Sequence, residues 1–361
     1  MKLFLRNAFK SIILFALLAL VAVNVSYAQL NNVGKLIASG KADANILAKE
    51  YLSPVGKGFG AGLNTGWFTT AKPHKKLGFD VTVSGGLAFV PTTDQSFDAA
   101  KLNLQRLQYD TNSPEMSPTL AGAKQSGSTF NIVDQGYNLG SVTMPKGTGY
   151  SFVPSPMFKV GIGLIHDTEI MIRYLPQVNI KNYGKMNLYG FGIKHGLNQW
   201  IPGGKLLPVN LSVMFGYTDF KASSDLSVNP QTDANTSNQY DGSTWQGQQV
   251  KTETKAYTVN ALVGKSLPII AVYAGVGIES SKMTVATPGN YPITVPDPTQ
   301  TNPNHKKIDK LSDPVDINIK GANTFHAIVG ARLRFLIFSL SASYTMANYS
   351  IANVGVGISF R

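Results

Sequence analysis

The sequence predicts an all-β protein, an antiparallel transmembrane β-barrel of about 12 strands (range 10 to 14) with a short N-terminal helical segment. Three observations carry this prediction. Long stretches alternate apolar residues with small or polar ones, which is the period of a strand. Many of these stretches reach the 9–11 residues that a membrane-crossing strand needs. Their connections alternate short and long, which is typical of barrels in an outer membrane.

Residues 1–28 predict a secretory signal peptide. Three basic residues lie within the first ten, an apolar stretch follows at 11–23, and Ala28 precedes the expected cleavage site. The apolar stretch is short for a transmembrane helix, which is the alternative. No comparable stretch follows, so we expect any membrane insertion of the mature chain to use strands.

Net charge and cysteine content indicate the environment and the partners that suit the exported chain. The chain has no Cys and a net charge of +12. An exported protein without disulfides depends on burial and backbone pairing. The positive charge suits anionic outer-membrane lipids and lipopolysaccharide. Because the basic residues are scattered and the chain is exported, we expect no nucleic-acid partner.

Residues 29–56 predict an amphipathic helical segment. Apolar residues recur at helical spacing over 33–52, and Gly40 can divide the helix. Asp43 is placed to cap the second half, and Pro54 is expected beyond its end. The segment is expected either to plug the barrel or to dock below it.

Residues 57–361 form the predicted barrel. The strand at 129–143 is included because a barrel with both termini on one side needs an even number of strands. It lies in the region 91–154, which is otherwise hard to assign. The strands are expected at 59–68, 79–89, 129–143, 158–164, 169–174, 189–194, 209–217, 257–264, 270–279, 325–334, 338–345 and 354–360.

Loops and aromatic residues set the expected orientation. Long polar loops lie near 222–249 and 288–315. Aromatic residues at strand ends predict two interfacial girdles. On the long-loop side these are Trp67, Tyr217 and Tyr344. On the short-turn side they are Phe89, Phe338 and Phe360.

The inward faces of the strands hold the candidate site residues. Basic groups outnumber acids among them, which favours anions in a narrow lumen. The alternative is that they form buried ion pairs, such as Arg173 with Glu169, in a closed barrel. The predicted lumen-lining residues are Lys159, Glu169, Arg173, Lys194, Glu279, His326, Arg332 and Arg334.

Glycines recur on the same inward faces, and such a stripe needs a reason because glycine weakens a strand. One explanation is close packing of another element against the wall. The other is curvature of a small barrel. Gly355 and Gly357 in the last strand belong to this stripe.

Catalysis and cofactors are not indicated. His326 lies one strand away from Ser339, Ser341 and Ser343, which leaves a barrel hydrolase as a weak alternative. The five His residues are far apart in sequence and show no metal-ligand spacing. We therefore expect a non-enzyme without cofactors.

A family resemblance rests on three motifs of the chain, IRYLPQ, GFGIKHGLNQWIPGGKLLP and YLSPVGKGFGAGLNTGWFTTAKPHKKLGFD. Through these motifs the chain resembles an uncharacterised family of outer-membrane β-barrel proteins from Bacteroidota-type bacteria. The architecture is also similar to that of long-chain fatty-acid transporters, which place an N-terminal segment inside the barrel. The resemblance implies the outer membrane of a Gram-negative bacterium and insertion by the barrel-assembly machinery.

Two functions follow as expectations. The first is passive transport or diffusion of a small hydrophobic or anionic solute. The second is a surface or scaffold protein, in which a sealed barrel anchors partner-binding loops.

Overall fold

The computed structural model describes residues 37, 39–180, 184–230, 240–297, 299 and 306–360. The signal peptide predicted at 1–28 lies outside the described residues. The described part holds one long helix and eighteen strands, with short 3-10 turns between them. In chain order these are α1 (Lys41–Leu63), β1 (Phe79–Phe89), β2 (Ser96–Asp98), β3 (Leu107–Tyr109), β4 (Met116–Pro118), β5 (Thr129–Asp134), β6 (Tyr137–Thr143), β7 (Phe152–Gly163), β8 (Thr168–Ile180), β9 (Gly184–Gly196), β10 (Asn210–Asp225), β11 (Gln249–Ser266), β12 (Ile270–Ala286), β13 (Asn290–Pro296), β14 (Lys306–Ser312), β15 (Asp316–Lys320), β16 (Phe325–Phe335), β17 (Phe338–Met346) and β18 (Ile351–Phe360).

Ten strands close into an antiparallel barrel. Strand β1 pairs with β7 on one side and with β18 on the other, so the first and last barrel strands meet. The seam aligns Phe79 with Phe360 and Ala88 with Ile351. The remaining neighbours follow in order through β8 to β12, β16 and β17, and β15 adds to the upper part of β12. A closed barrel leaves no unpaired edge among its strands.

The strand predicted at 129–143 lies outside the barrel. This stretch forms the hairpin β5–β6, which pairs with β3 in a separate small sheet. Strand β1 therefore runs opposite to the direction we expected, and Phe89 lies beside Phe152 at the long-loop end. An even number of strands remains without this hairpin, because the strand predicted at 59–68 is also absent from the wall.

The chain at 59–63 belongs to α1 instead. The helix begins after Gly40, whose φ is +93°, and continues through Pro54 to Leu63. Alternating glycine suggested a strand, because small residues at every second position fit the inner face of a barrel. The same glycines instead keep the helix thin, and neighbouring structure covers it on several sides. The ten-strand count follows from these two corrections.

A folded cap covers the long-loop end of the barrel. We define the cap as the described residues of 90–151 and 287–324, which contain β2–β6, the hairpin β13–β14 and β15. One of its apolar clusters surrounds the first half of α1, where Leu47 and Tyr51 pack with Phe97 and Phe130. The cap and the helix therefore share one core.

Apolar side chains are exposed around the outer surface of the barrel. Ile172, Phe191 and Val356 are each more than half exposed. Tyrosines pair across strands towards the long-loop end, Tyr174 with Tyr189 and Tyr217 with Tyr257.

The short-turn end of the outer surface has aromatic pairs of its own. Phe335 lies opposite Phe338, and Phe79 lies opposite Phe360. Trp67, expected in the outer girdle, is instead 1% exposed. No described helix is long and apolar enough to span a membrane.

Candidate functional site

The lumen is occupied by the chain's own N-terminal part. Helix α1 contacts β7, β11 and β12 from inside the barrel. Its glycines permit this fit, because a Cβ on Gly58 would lie 2.7 Å from Val153 Cγ2 and one on Gly56 would lie 2.9 Å from Ile319 Cγ2. A Cβ on Gly60 or Gly62 would clash with Ser281 or Ser155. A larger side chain at any of these four glycines would have to displace its neighbours.

Asp43 fixes the first turn of the helix to the cap. Its carboxylate accepts backbone N–H bonds from Gln105, Arg106 and Leu107 at 2.7, 2.8 and 2.9 Å. The side chain is 1% exposed. The expected N-cap role is therefore wrong, because the carboxylate satisfies donors of the cap rather than those of its own helix.

A second contact ties the helix to the rim. Lys57 Nζ lies 2.8 Å from Asp94 Oδ2, and the Tyr349 hydroxyl donates to the same oxygen at 2.6 Å. Partial burial raises the pKa of the Asp94 carboxyl, but the two hydrogen bonds and the charge of Lys57 outweigh it and lower the pKa below its usual range. Burial, followed by the bond to Asp94, raises the pKa of Tyr349.

Arg173 closes the C-terminal end of the helix. Its Nη1 donates to the Leu63 carbonyl at 2.6 Å, its Nη2 donates to the Thr65 carbonyl, and its side chain is wholly buried. The C-terminal carbonyls of a helix carry partial negative charge, so a guanidinium there is favourable. The ion pair of Arg173 with Glu169, given above as an example of the alternative, does not form, because Arg173 binds the helix end and Glu169 pairs with Lys194.

Trp67 fills the lumen beneath the helix. The Arg173 guanidinium carbon lies 3.7 Å from the centre of the indole ring. Gly192 and Gly216 of the wall face the same ring, where added Cβ atoms would lie 3.0 and 2.6 Å away. At these two positions the inward glycines serve close packing. At Gly355 and Gly357 the nearest atoms belong to neighbouring strands instead.

Residues 64–78, which we name the lumen segment, continue from the helix to the short-turn end. The Ala71 carbonyl accepts from Ser212 Oγ at 2.7 Å, and the Thr70 carbonyl accepts from Lys194 Nζ at 3.3 Å. At the bottom, Leu77 N–H donates to the Gly163 carbonyl at 2.9 Å. The wall thus provides hydrogen-bond partners for backbone groups of this segment, which has no regular secondary structure.

A buried charge network holds the lower half of this segment. Lys159 pairs with Asp80 at 2.9 Å, and Lys194 pairs with Glu169 at 3.0 Å. All four side chains are at most 5% exposed. His74 joins both acids, through Nε2 to Asp80 at 3.1 Å and through its backbone N–H to Glu169 at 3.0 Å. The two acids and two lysines balance in charge.

Among the described residues, one group of side chains could hold a metal ion, and it lies in this cluster. Ligand atoms of His74, Asp80 and Glu169 lie within 4.8 Å of one another. The ammonium groups of Lys159 and Lys194 already contact both carboxylates. This arrangement stabilises the acids without an ion.

Glu279 and His326 lie higher in the wall and are buried. His326 Nδ1 is 3.3 Å from Glu279 Oε2, and its Nε2 is 2.7 Å from Asn260 Oδ1. The serines weighed as nucleophiles lie further down, since Ser343 pairs with Gly330 and Ser341 with Arg332. None of these serines is placed opposite His326.

Arg332 and Arg334 lie near the short-turn end of β16. They line a cavity of about 930 Å³ at the short-turn mouth, together with Lys72, Lys75 and Lys76 of the lumen segment. Sequence reasoning placed all eight predicted residues on inward faces, but their functional role stays a prediction. It missed the lumen segment, because Trp67 fell within the strand predicted at 59–68 and His74 fell in the stretch without a strand period that follows it.

Comparison with models of known protein families identifies the family of this chain. The model for a family of unknown function, DUF6588, matches residues 6–360. The chain belongs to the DUF6588 family. No curated protein matches it. The Bacteroidota origin stays a prediction.

Several solved structures are similar to this DUF6588 chain at low identity. The translocator domain of the autotransporter NalP from Neisseria meningitidis is 11% identical with a TM-score of 0.29, and the match covers 90% of this chain and 99% of that one. The ferric-catecholate import receptor Fiu from E. coli K12 is 9% identical with a TM-score of 0.26, covering 76% and 55%. The outer membrane transporter YddB from Escherichia coli is 13% identical with a TM-score of 0.26, covering 76% and 40%. The chain spans about half the length of these last two proteins.

Proposed function

We propose that this protein is an outer-membrane barrel, sealed by its own N-terminal segment, that anchors the cap at the cell surface. One observation carries the proposal: Arg173 of the wall binds the carbonyls of Leu63 and Thr65 and lies over Trp67, so the lumen is filled at that level. A sealed barrel leaves the cap as the part available to partners. The proposed function has no catalytic part.

The outer surface supports the membrane location. Soluble monomers rarely expose contiguous apolar patches larger than a few hundred Å². Here exposed apolar residues recur on every barrel strand, with tyrosine pairs towards one end and phenylalanine pairs at the other. This arrangement fits an apolar band between two interfacial girdles. Export by a signal peptide and insertion by the barrel-assembly machinery belong to the same proposal.

Exposed lysines beyond the tyrosines support lipopolysaccharide as the surrounding lipid. Lys255, Lys282 and Lys320 lie side by side on three neighbouring strands. Like charges directly across a sheet repel one another. Glu253 offsets the charge of Lys255, with which it pairs at 3.2 Å. Phosphate groups of lipopolysaccharide beside Lys282 and Lys320 would relieve the remaining repulsion.

Solute passage, the first expectation from the sequence, requires the lumen segment to move. In the described conformation the helix, Trp67 and the charge network occupy successive levels of the lumen. Passive diffusion of a hydrophobic or anionic solute therefore stays a prediction, which planar-bilayer recording also tests.

Planar-bilayer recording tests the seal. We expect the full-length protein to insert, as judged by a heat-modifiable gel shift, and to give no steady conductance. A steady ohmic conductance of the native protein would overturn the sealed-barrel proposal. A gel shift without conductance would support it.

Cysteine labelling tests the orientation, because the chain contains no Cys. Met116→Cys lies in the cap and Leu267→Cys lies in a short turn, at residues that are 50% and 53% exposed. We expect a membrane-impermeant maleimide to label Met116→Cys on intact cells. Leu267→Cys should react only after the outer membrane is permeabilised. The reverse pattern would contradict a surface-exposed cap.

A further inference from the structure

The cavity at the short-turn mouth lies between the lumen segment and the barrel wall. Its volume is about 930 Å³, within the range of small-molecule sites. Thr70 and residues 72–76 contribute one side, and β16 and β18 contribute the other. Leu267, Ile337 and Phe360 contribute apolar surface to the lining.

Permanent positive charge lines this cavity, and no carboxylate is among the described residues that line it. Lys72, Lys75 and Lys76 face it from the lumen segment, and Arg332 and Arg334 face it from β16. The two arginines are two residues apart on one strand, so they share a face. Neither forms an ion pair with any described residue. The acids nearest in the lumen, Asp80 and Glu169, are paired with Lys159 and Lys194.

Two buried polar atoms on the wall of the cavity lack partners. Arg332 Nε and Ser359 Oγ are both inaccessible to solvent and make no hydrogen bond within the described part of the chain. Ser359 is 2% exposed. Buried polar groups are normally hydrogen-bonded, so an unpaired donor calls for a ligand or an ordered water. A guanidinium N–H and a hydroxyl beside several cations suit an oxyanion.

We propose that this cavity binds a phosphate group, carried either by a small phosphorylated solute or by a phospholipid head group. Arg332 and Ser359 supply the buried donors, and Arg334 with the three lysines supplies the surrounding charge. Because those lysines belong to the lumen segment and the arginines to β16, the bound phosphate joins the segment to the wall. This site does not depend on whether the lumen is sealed.

Isothermal titration with inorganic pyrophosphate tests the site on the full-length protein in a zwitterionic detergent. We expect saturable binding that weakens with added salt. The double variant R332Q/R334Q should bind roughly tenfold more weakly or worse, since each charged hydrogen bond contributes substantially. Ser359→Ala should weaken binding by a smaller factor. The control K221Q/K251Q removes two exposed lysines from the other end and should bind as the native protein does.

A heat-modifiable gel shift checks that each variant folds. The absence of saturable binding by the folded native protein would overturn the proposal. An equal loss in both double variants would also overturn it, because it would show only general attraction between charges.

Nanodiscs distinguish the two sources of phosphate. If a free solute is the ligand, pyrophosphate binds equally in phosphatidylcholine discs with and without phosphatidylglycerol. If a head group is the ligand, phosphatidylglycerol competes with pyrophosphate for the native protein. Either result supports the site and identifies its source, whereas no binding in either disc contradicts it.

Discussion

The upper and lower halves of the lumen are filled by different means. In the upper half a helix packs through apolar contacts, such as Phe59 against Phe220 with ring centres 4.9 Å apart. In the lower half an extended segment is held by hydrogen bonds and by the pairs of Asp80 and Glu169 with lysines. Apolar packing responds little to pH or salt, whereas charge networks depend on partner protonation and geometry. Any opening of this barrel should therefore begin at the lower half.

Gly216→Val should produce the largest effect, because it places side-chain atoms where the Trp67 ring lies. We expect the lumen segment to be displaced from the boundary between the halves. Steady conductance in planar bilayers should appear, and Trp67 fluorescence should shift to the red in a W200F/W245F background. Gly85→Val is the matched control, since a Cβ at Gly85 meets nothing within 4 Å. A closed, unshifted Gly216→Val protein would contradict the packing described here.

Asp43→Ala tests the upper half alone. It leaves three backbone N–H groups of the cap without an acceptor, of which that of Leu107 is buried and the other two are part-buried. Since one buried unsatisfied donor costs about 1–3 kcal/mol, the docking of α1 on the cap should weaken by at least that amount. Hydrogen exchange at residues 105–107 should rise while the barrel strands stay protected. Asp98→Ala, at an exposed carboxylate that also accepts backbone bonds, should change little.

Lys159→Met tests the lower half. It leaves Asp80 buried without its main partner, which typically costs about 3–5 kcal/mol. We expect a lower temperature for loss of the folded band in a heat-modifiable gel. Lys221→Met removes a lysine from an exposed pair with Glu253 and should leave that temperature nearly unchanged. Equal effects of the two variants would show that the lower network contributes no more than surface charge.

Acid should affect the rim contact of the upper half by the smallest amount. The pKa of Asp94 is lower in the folded protein than in the unfolded chain. Its stabilisation is therefore complete above the unfolded pKa of about 4 and is lost as the pH falls through the folded value. Protease resistance of the cap should decline over this acidic range in the native protein. Asp94→Asn should remove that part of the pH dependence, and an unchanged profile would contradict the assignment.

The sequence predicted the wall well and its contents poorly. Strands such as β18 alternate apolar and small residues because one face contacts the surroundings and the other the lumen, and this alternation is visible in one dimension. Residues 59–63 carry a similar alternation for a different reason, a helix enclosed by other structure. Residues 129–143 satisfy a strand pattern too, yet pair within the cap.

The lumen contacts were harder to predict because they join distant parts of the chain. Nothing local to Arg173 indicates that it binds carbonyls of Leu63 and Thr65, about 110 residues earlier. Lys194 and Glu169 are similarly brought together only by the register of β8 and β9. The alternation predicted a set of inward charges, but the partners of those charges depend on the closed barrel.

The seam between β1 and β18 links the contents of the barrel to its closure. The lumen segment leads directly into β1 at the short-turn end, while the start of α1 lies under the cap at the opposite end. Phe79, the first residue after the lumen segment, pairs with Phe360 of the last strand. The strand pairing that closes the wall therefore also fixes the lower end of the segment that fills it.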